Sequence, residues 1–286
     1  MGVALAGNRS KAATVKEFVK DLEASAAILR STRPTAVNLF WALDRVLKAV
    51  ADSKTVSEAR TSIISEVKRM EDEDVEVNRR LGRIGAELLD DGDTVLTQCN
   101  AGSLATVGYG TALGVVRAAV EQGKSIRVLV PETRPALQGS RLTAFELARD
   151  GIPCTIIPDT AVGFMLAEGR ADKVVVGADR ITRDGYVFNK IGTYQEAVLA
   201  RRHGVPFYAV APFSTFDLKH THGQVVIEQR GFDEVIRIRG RRIAPKGVPV
   251  ANPAFDMTPP GLLTKIVSDR GLIGKPFAAT IPKVIS

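Results

Sequence analysis

Apolar positions recur at helical spacing from Lys11 to about Leu89 and gather into short runs after Asp93. Val15, Phe18, Val19, Leu22 and Ile28 are read as one helical face, and Leu39, Leu43, Val46, Leu47 and Val50 as a second. Arg33-Pro34-Thr35 separates the two helices, and a third, more charged helix runs from Val56 to about Leu89. Its stripe is Ile63, Ile64, Val67, Leu81, Ile84 and Leu88. From there the apolar runs 94–98, 126–130, 154–157, 173–177 and 206–210 read as strands. They alternate with helices near 103–121, 140–150, 161–169 and 193–203. The proline-rich tail is expected to be extended until a last helix near 260–270.

Strand–helix alternation implies an α/β fold with a doubly wound, mostly parallel sheet, here preceded by a helical N-terminal region. The expected division is a helical domain over 1–90 and a sheet domain over 91–286. Sheets of this kind bind ligands outside the C-terminal strand ends, near a topological switch point. Cys99 and Asp179 both fall just after a strand, so one crevice can hold both. Cys99 runs into Asn100-Ala101-Gly102-Ser103-Leu104-Ala105-Thr106, read as a glycine-punctuated helix start. A helix N-terminus favours a thiolate or a bound phosphate beside it.

Composition narrows the class. With 45% apolar and 25% charged residues, the 286-residue chain is of globular type and large enough to bury a core. The net charge of +7 suits acidic partners, including phosphorylated metabolites. Its basic residues are scattered, and the densest group, Arg237, Arg239, Arg241 and Arg242, alternates with other residues in a strand-like stretch. That argues against a nucleic-acid partner. No run reaches the roughly 18 apolar residues of a membrane span. Two cysteines make no disulfide framework and fit a reducing, cytoplasmic setting.

Further polar segments supply candidate ligand contacts. Asn189-Lys190-Ile191-Gly192-Thr193 leads into a helix, where a cation and a helix start can hold a phosphate together. Pro131 to Thr143 is a loop dense in gripping side chains, Gln138 among them, and Arg33 in the interhelical turn is a further candidate. Cys154 reads as a small buried hydrophobe. His203, His220 and His222 lack metal-ligand spacing on a common face; His220-Thr221-His222 could in principle chelate, but no metal site is expected. Gly108-Tyr109-Gly110 with Gly114 lies within a helical pattern, so close helix packing explains it better than dinucleotide binding.

Several of these segments together resemble the methylthioribose-1-phosphate isomerase family over essentially the whole chain. They are Thr97-Gln98-Cys99-Asn100-Ala101-Gly102, Glu132-Thr133-Arg134-Pro135, Gln138-Gly139-Ser140-Arg141-Leu142-Thr143, Gly177-Ala178-Asp179-Arg180 and Asn189-Lys190-Ile191-Gly192-Thr193-Tyr194. Arg33 to Leu39, Trp41 to Asp44 and Asn252 to Pro259 are also similar to that family. The resemblance implies a Rossmann-like sheet domain and a homodimer. It also implies conversion of 5-methylthioribose 1-phosphate to 5-methylthioribulose 1-phosphate in methionine salvage, with no cofactor, metal or nucleotide. It assigns catalysis to Cys99 and Asp179, and substrate binding, chiefly of the phosphate, to Arg33, Gln138, Asn189 and Lys190. Asp179 is assigned to protonate the ring oxygen and Cys99 to move the C2 proton, with the reverse assignment open.

Two alternatives lie in the same superfamily. One is a sister isomerase of ribose 1,5-bisphosphate or 5-deoxyribose 1-phosphate. The other is a non-catalytic regulatory subunit of the translation-initiation guanine-nucleotide exchange factor. A second phosphate requires extra cations at the far end of the pocket, whereas a methylthio group needs an apolar hollow. The family also carries an Arg-Gly-Ala-Pro loop ahead of a segment like Met1-Gly2-Val3-Ala4-Leu5-Ala6, which here reads as helix without a cap. The chain is therefore expected to begin inside a longer protein.

Overall fold

Thr14 opens the second helix with a reciprocal cap: its hydroxyl accepts the Glu17 N–H at 3.3 Å, and the Glu17 carboxylate accepts the Thr14 N–H at 3.1 Å. The computed structural model describes residues 1–33 and 36–285, so the Pro34-Thr35 part of the expected break lies outside the described residues. The chain divides into two compact units, Met1–Glu76 and Val77–Ser286. The first unit contains α1 (Gly2–Arg9), α2 (Val15–Thr32), α3 (Val37–Lys48) and the larger part of α4 (Val56–Ala86). Its core joins Phe18, Leu22, Ala26, Leu43, Val46, Ile63 and Val67. Ile28 and Ile64, counted on apolar stripes in the sequence, are exposed. At 3.6 residues per turn the buried row of α2 continues from Phe18 and Leu22 to Ala26, which leaves Ile28 on the other side.

The strand–helix rhythm produces the second unit. It contains β1 (Thr94–Leu96), α5 (Ala112–Glu121), β2 (Arg127–Pro131), α6 (Ala144–Arg149), β3 (Cys154–Ile157), α7 (Val162–Ala167) and β4 (Lys173–Val176). There follow β5 (Arg180–Thr182), β6 (Val187–Lys190), α8 (Thr193–His203), β7 (Phe207–Val210) and β8 (Phe216–Asp217). The last part holds α9 (Asp233–Ile236), β9 (Arg237–Ile238), β10 (Arg241–Arg242), β11 (Phe255–Thr258), β12 (Lys265–Ser268), β13 (Gly271–Ile273) and α10 (Phe277–Ile285). Among the described residues the main sheet has the order β13-β12-β7-β4-β1-β2-β3, parallel throughout except for β13. The expected α/β, doubly wound architecture is present.

Alternation along each strand serves two helical layers. Val174, Val176 and Ala209 face a cluster with Val162, Leu166, Ala197 and Ile281, whereas Val175 and Val210 face one with Leu81, Ala112, Val115 and Leu147. The last turns of α4 therefore pack against this sheet, and Gly82 and Gly114 let α4 and α5 approach closely. A Cβ on Gly82 would stand 2.7 Å from the Gly114 carbonyl oxygen. Gly108 and Gly110, by contrast, lie in a loop.

Two expectations about elements are corrected. The region 260–270 is not a helix. After a short 3-10 turn at Pro260–Leu262, the β-branched pair Ile266 and Val267 forms β12, and the turn at Asp269-Arg270 sends the chain back as β13. The final helix is α10. Cys154 lies on the edge strand β3 and is only partly buried, with its thiol pushed up by that burial.

Beside the main sheet a smaller one has the order β11-β6-β5-β8. It begins directly after β4, so a short passage, Gly177-Ala178-Asp179, carries the chain from one sheet to the other. Within the small sheet Asn189 faces Asp256 and Lys190 faces Phe255 in register. The basic quartet forms the exposed hairpin β9–β10. Among the described residues, no helix is long and apolar enough to cross a membrane.

Candidate active site at the switch point of the sheet

The sheet reverses its winding between β1 and β4. From β1 the chain proceeds outward to β2 and β3, then returns to place β4 on the other side of β1. Cys99 follows β1 and Asp179 follows β4, two hydrogen-bonded neighbours with Leu96 paired to Val174. The two candidate catalytic residues therefore leave adjacent parallel strands at the switch point, where doubly wound sheets bind ligands. The fit there is close: a Cβ on Gly177 would stand 2.8 Å from the Ala101 side chain.

Cys99 is not at the start of a helix, contrary to the sequence reading. Only a 3-10 turn, Ser103–Ala105, follows it, and α5 begins at Ala112. Three glycines, Gly102, Gly108 and Gly110, together with the β-branched Thr106 and Val107, make this stretch a poor helix. The N–H groups that would have formed an anion-binding terminus are taken by a carboxylate. Glu146 accepts from Ser103 N at 2.7 Å, Leu104 N at 3.1 Å and Asn100 Nδ2 at 2.9 Å, and pairs with Arg117 at 2.8 Å. It is 3% exposed. Burial alone would raise its pKa, but the bonds from Asn100, Arg117, Ser103 and Leu104 hold it below the usual carboxylate value.

What fixes Cys99 is a clamp from the β2–α6 connection. Its N–H donates to Thr133 Oγ1 at 3.0 Å, and its carbonyl accepts Thr143 Oγ1 at 2.6 Å. The residue is held at φ 61, in the left-handed region that non-glycine residues seldom occupy, as are Thr133 and Leu137 at φ 61 and 59. Such strained positions concentrate at functional sites. Thr133 also donates to Gln98 Oε1 at 3.2 Å, and Gln98 Nε2 donates to the Ile191 carbonyl at 2.7 Å. The clamp thereby reaches the segment that carries Lys190.

The same connection depends on Gly139, where an added Cβ would stand 1.8 Å from the Pro131 carbonyl oxygen. Both partners are backbone and neither can move away. Gly139→Ala is expected to destabilise the protein by about 1–3 kcal/mol, the cost of overpacking. Chemical denaturation checks it, and a loss below about 0.5 kcal/mol would show that the turn adjusts freely.

Gln138 and Lys190 come together in one cleft with Ile191, Arg230, Glu234 and Asn252. Gln138 Oε1 is buried and has no hydrogen-bond partner among the described residues. Lys190 is 9% exposed; its Nζ donates to the Ala254 carbonyl at 3.1 Å and lies 4.6 Å from the Phe255 ring. An ammonium has three donors, so others remain for a ligand. Asn189, also buried, gives its Nδ2 to Thr193 Oγ1 at 3.0 Å and so braces the start of α8. Arg33 lies at the C-terminus of α2 in the other unit. Asp179 is partly buried and donates its N–H to the Phe188 carbonyl at 2.9 Å, while Arg180 pairs with Asp217 at 3.1 Å. His220 and His222 turn to different carboxylates, Asp217 and Asp184.

Four carboxylates escaped the sequence reading. Besides Glu146, Asp159 accepts the N–H groups of Thr133 and Arg134 at 2.7 and 2.6 Å. Asp256 accepts the Gly192 N–H at 2.7 Å. Gly192 itself, at φ 106, leaves no space for a side chain, since a Cβ would stand 2.4 Å from Gln98 Nε2. Asp256 is pushed up to about 6 by burial, against the pull of the Tyr194 and Gly192 N–H groups. Glu196 is fully enclosed and raised well above the ordinary value by burial, then by Asp256 and Asp159.

The Asp256 shift makes a pH prediction. Its folded pKa, about 6, exceeds the ordinary 3.8, so the stability it contributes is present at low pH and is lost as pH rises through about 6. The stability difference between wild type and Asp256→Asn should therefore decline between about pH 4 and 6 and level off above. Urea titrations across that range check it, and a flat difference would refute it.

Cys99 and Asp179, just beyond adjacent strand ends at the switch point of a doubly wound α/β sheet, stand where such sheets bind small molecules. Comparison with known proteins gives the family. A model of the initiation factor 2 subunit family matches residues 1–275, and the chain belongs to that family. It is 50% identical to the methylthioribose-1-phosphate isomerase of Pelotomaculum thermopropionicum, over 99% of this chain and 79% of that protein. The crystal structure of 5-methylthioribose 1-phosphate isomerase from Pyrococcus horikoshii OT3 superposes with a TM-score of 0.89 at 48% identity, covering 99% of this chain and 80% of that one. A structure described as translation initiation factor eIF-2B, subunit delta, from A. fulgidus gives 0.86 at 52% identity, covering 99% and 83%.

Proposed function

We propose that the protein is an aldose–ketose isomerase that converts 5-methylthioribose 1-phosphate into 5-methylthioribulose 1-phosphate, a step of methionine salvage. The observation that carries this reading is the half-identical match, over nearly the whole chain, to relatives named for that activity. Cys99 and Asp179, just beyond the ends of neighbouring strands, support it, since a binding subunit has no need of the pair.

Phosphate on the anomeric oxygen blocks the simple opening available to a free aldose. In the proposed reaction Asp179 gives a proton to the ring oxygen as its bond to C1 breaks, and Cys99 takes the proton from C2. Return of a proton to C1 and loss of the C2 hydroxyl proton leave a carbonyl at C2, with no net change in atoms or electrons. Lys190 and Asn189 hold the phosphate. The buried Gln138 oxygen, an acceptor without a donor among the described residues, suits a sugar hydroxyl.

Incubation with 5-methylthioribose 1-phosphate should yield the ketose, followed by proton NMR at C1. A folded protein that binds the sugar phosphate without turnover would favour the regulatory-subunit reading suggested by the A. fulgidus description. We also propose a cytoplasmic homodimer; a chain with two cysteines, too few for a disulfide framework, fits a reducing compartment. Light scattering at micromolar concentration tests the dimer.

A further inference from the structure

The cleft beside Lys190 contains three charges, and two of them cancel. Arg230 directs Nε and NH2 to the Glu234 carboxylate at 2.8–3.1 Å. Asn252 Nδ2 donates to the same carboxylate at 3.1 Å and to the Gly231 carbonyl at 3.0 Å, so Glu234 is gripped from two sides. Burial would raise its pKa, but the bonds from Arg230 and Asn252 and the charges of Arg230 and Lys190 lower it. The carboxylate is ionised at neutral pH. Among the described residues lining the cleft, Lys190, set against a neutral carbonyl and an aromatic face, is the cation left over.

This balance matters for which sugar phosphates enter. One phosphate finds Lys190. A second would meet a guanidinium whose Nε–NH2 edge is already engaged, and a carboxylate that repels it. Discrimination by an unfavourable charge is a common route to specificity.

We propose that Glu234 is a specificity-determining residue: by engaging Arg230 it withholds the second cation that a bisphosphorylated sugar needs, and so restricts the cleft to sugars bearing one phosphate. The proposal rests on the sugar-phosphate reading of the site and adds the basis of selection within it.

Calorimetric titration of ribose 1,5-bisphosphate and 5-methylthioribose 1-phosphate into wild type, Glu234→Gln, Arg230→Met and the double variant tests it. Glutamine keeps the shape and an acceptor for Asn252 and Arg230 while removing the charge. Glu234→Gln is expected to tighten bisphosphate binding about tenfold or more, the scale of one charged hydrogen bond, with a smaller effect on the monophosphate. The double variant should lose that gain. Unchanged bisphosphate affinity in a folded Glu234→Gln protein, an equal gain for both ligands, or a gain that survives without Arg230 would each overturn the proposal. If Glu234→Gln does not fold, Arg230→Met decides: it leaves the carboxylate uncompensated and should widen discrimination against the bisphosphate, and an unchanged ratio overturns the idea. Binding of the monophosphate without turnover counts against the proposed reaction alone. Failure of wild type to bind either sugar overturns the site reading and the proposal together.

Discussion

Replacing Asp179 by Asn is expected to lower kcat by about a hundred- to ten-thousandfold while changing KM little, because a positioned acid acts on the barrier far more than on ground-state binding. Asparagine keeps the size of the side chain and removes the proton to be transferred. Asp179 sits in the three-residue passage between two sheets, held by its N–H bond to Phe188, so the substitution should leave the fold intact. Cys99→Ser should cost a similar factor, since the hydroxyl is a far weaker base than a thiolate at neutral pH. The two roles separate by isotope exchange. With Asp179 acting at the ring oxygen and Cys99 at C2, Cys99→Ser should abolish exchange of the C2 hydrogen with solvent, and residual Asp179→Asn turnover should retain it. Full turnover in either variant would remove that residue from the catalytic pair.

Glu146→Gln is the second large effect, and it acts on stability. One carboxylate satisfies Asn100, the N–H groups of Ser103 and Leu104, and the Arg117 guanidinium, itself only 12% exposed. Removing one member of a buried ion pair costs about 3–5 kcal/mol, and the lower end is expected because Asp150 still pairs with Arg117 at 2.6 Å. The amide can accept some of the same bonds but brings donors that meet donors. Asp150→Asn, on the more exposed partner, should cost under about 1 kcal/mol. Equal losses in the two variants would contradict this assignment of the buried charge. The pH sense is opposite to that of Asp256: because the folded pKa of Glu146 is lowered, its stabilisation is present above the ordinary 4.5 and is lost as pH falls through the folded value.

The parallel sheet and its switch point were legible because strands buried on both faces write themselves as continuous apolar runs, as in Lys173-Val174-Val175-Val176. Order along the chain then put Cys99 and Asp179 on strand ends. What lay beyond reach was the support between loops. Thr133 and Thr143 meet Cys99 across 34 and 44 residues, and Glu146 meets Ser103 across 43. No local period encodes such pairings. The helix expected after Cys99 failed on composition that was visible, namely three glycines within nine residues. The tail failed for a related reason: Ile266-Val267 and the turn after Asp269 signal a hairpin, but a short apolar stretch reads equally well as helix or strand. The change of rhythm at Asp93 marks where strands begin rather than where packing divides, since Leu81 and Ala86 already join the sheet.

The hand-over at Gly177-Ala178-Asp179 separates two responsibilities. Cys99 belongs to the large sheet, whose strands are locked between helical layers, whereas Asn189, Lys190 and Asp256 belong to the small one. In the proposed reading, reactivity and most of recognition thus sit on different frameworks joined by one short passage of sequence. The two are tied at one point, where Gln98 bridges the threonine clamp on Cys99 to the Ile191 carbonyl beside Lys190. A scaffold partitioned in this way is open to reassignment, which accords with one family encompassing proteins described as isomerases and as initiation-factor subunits.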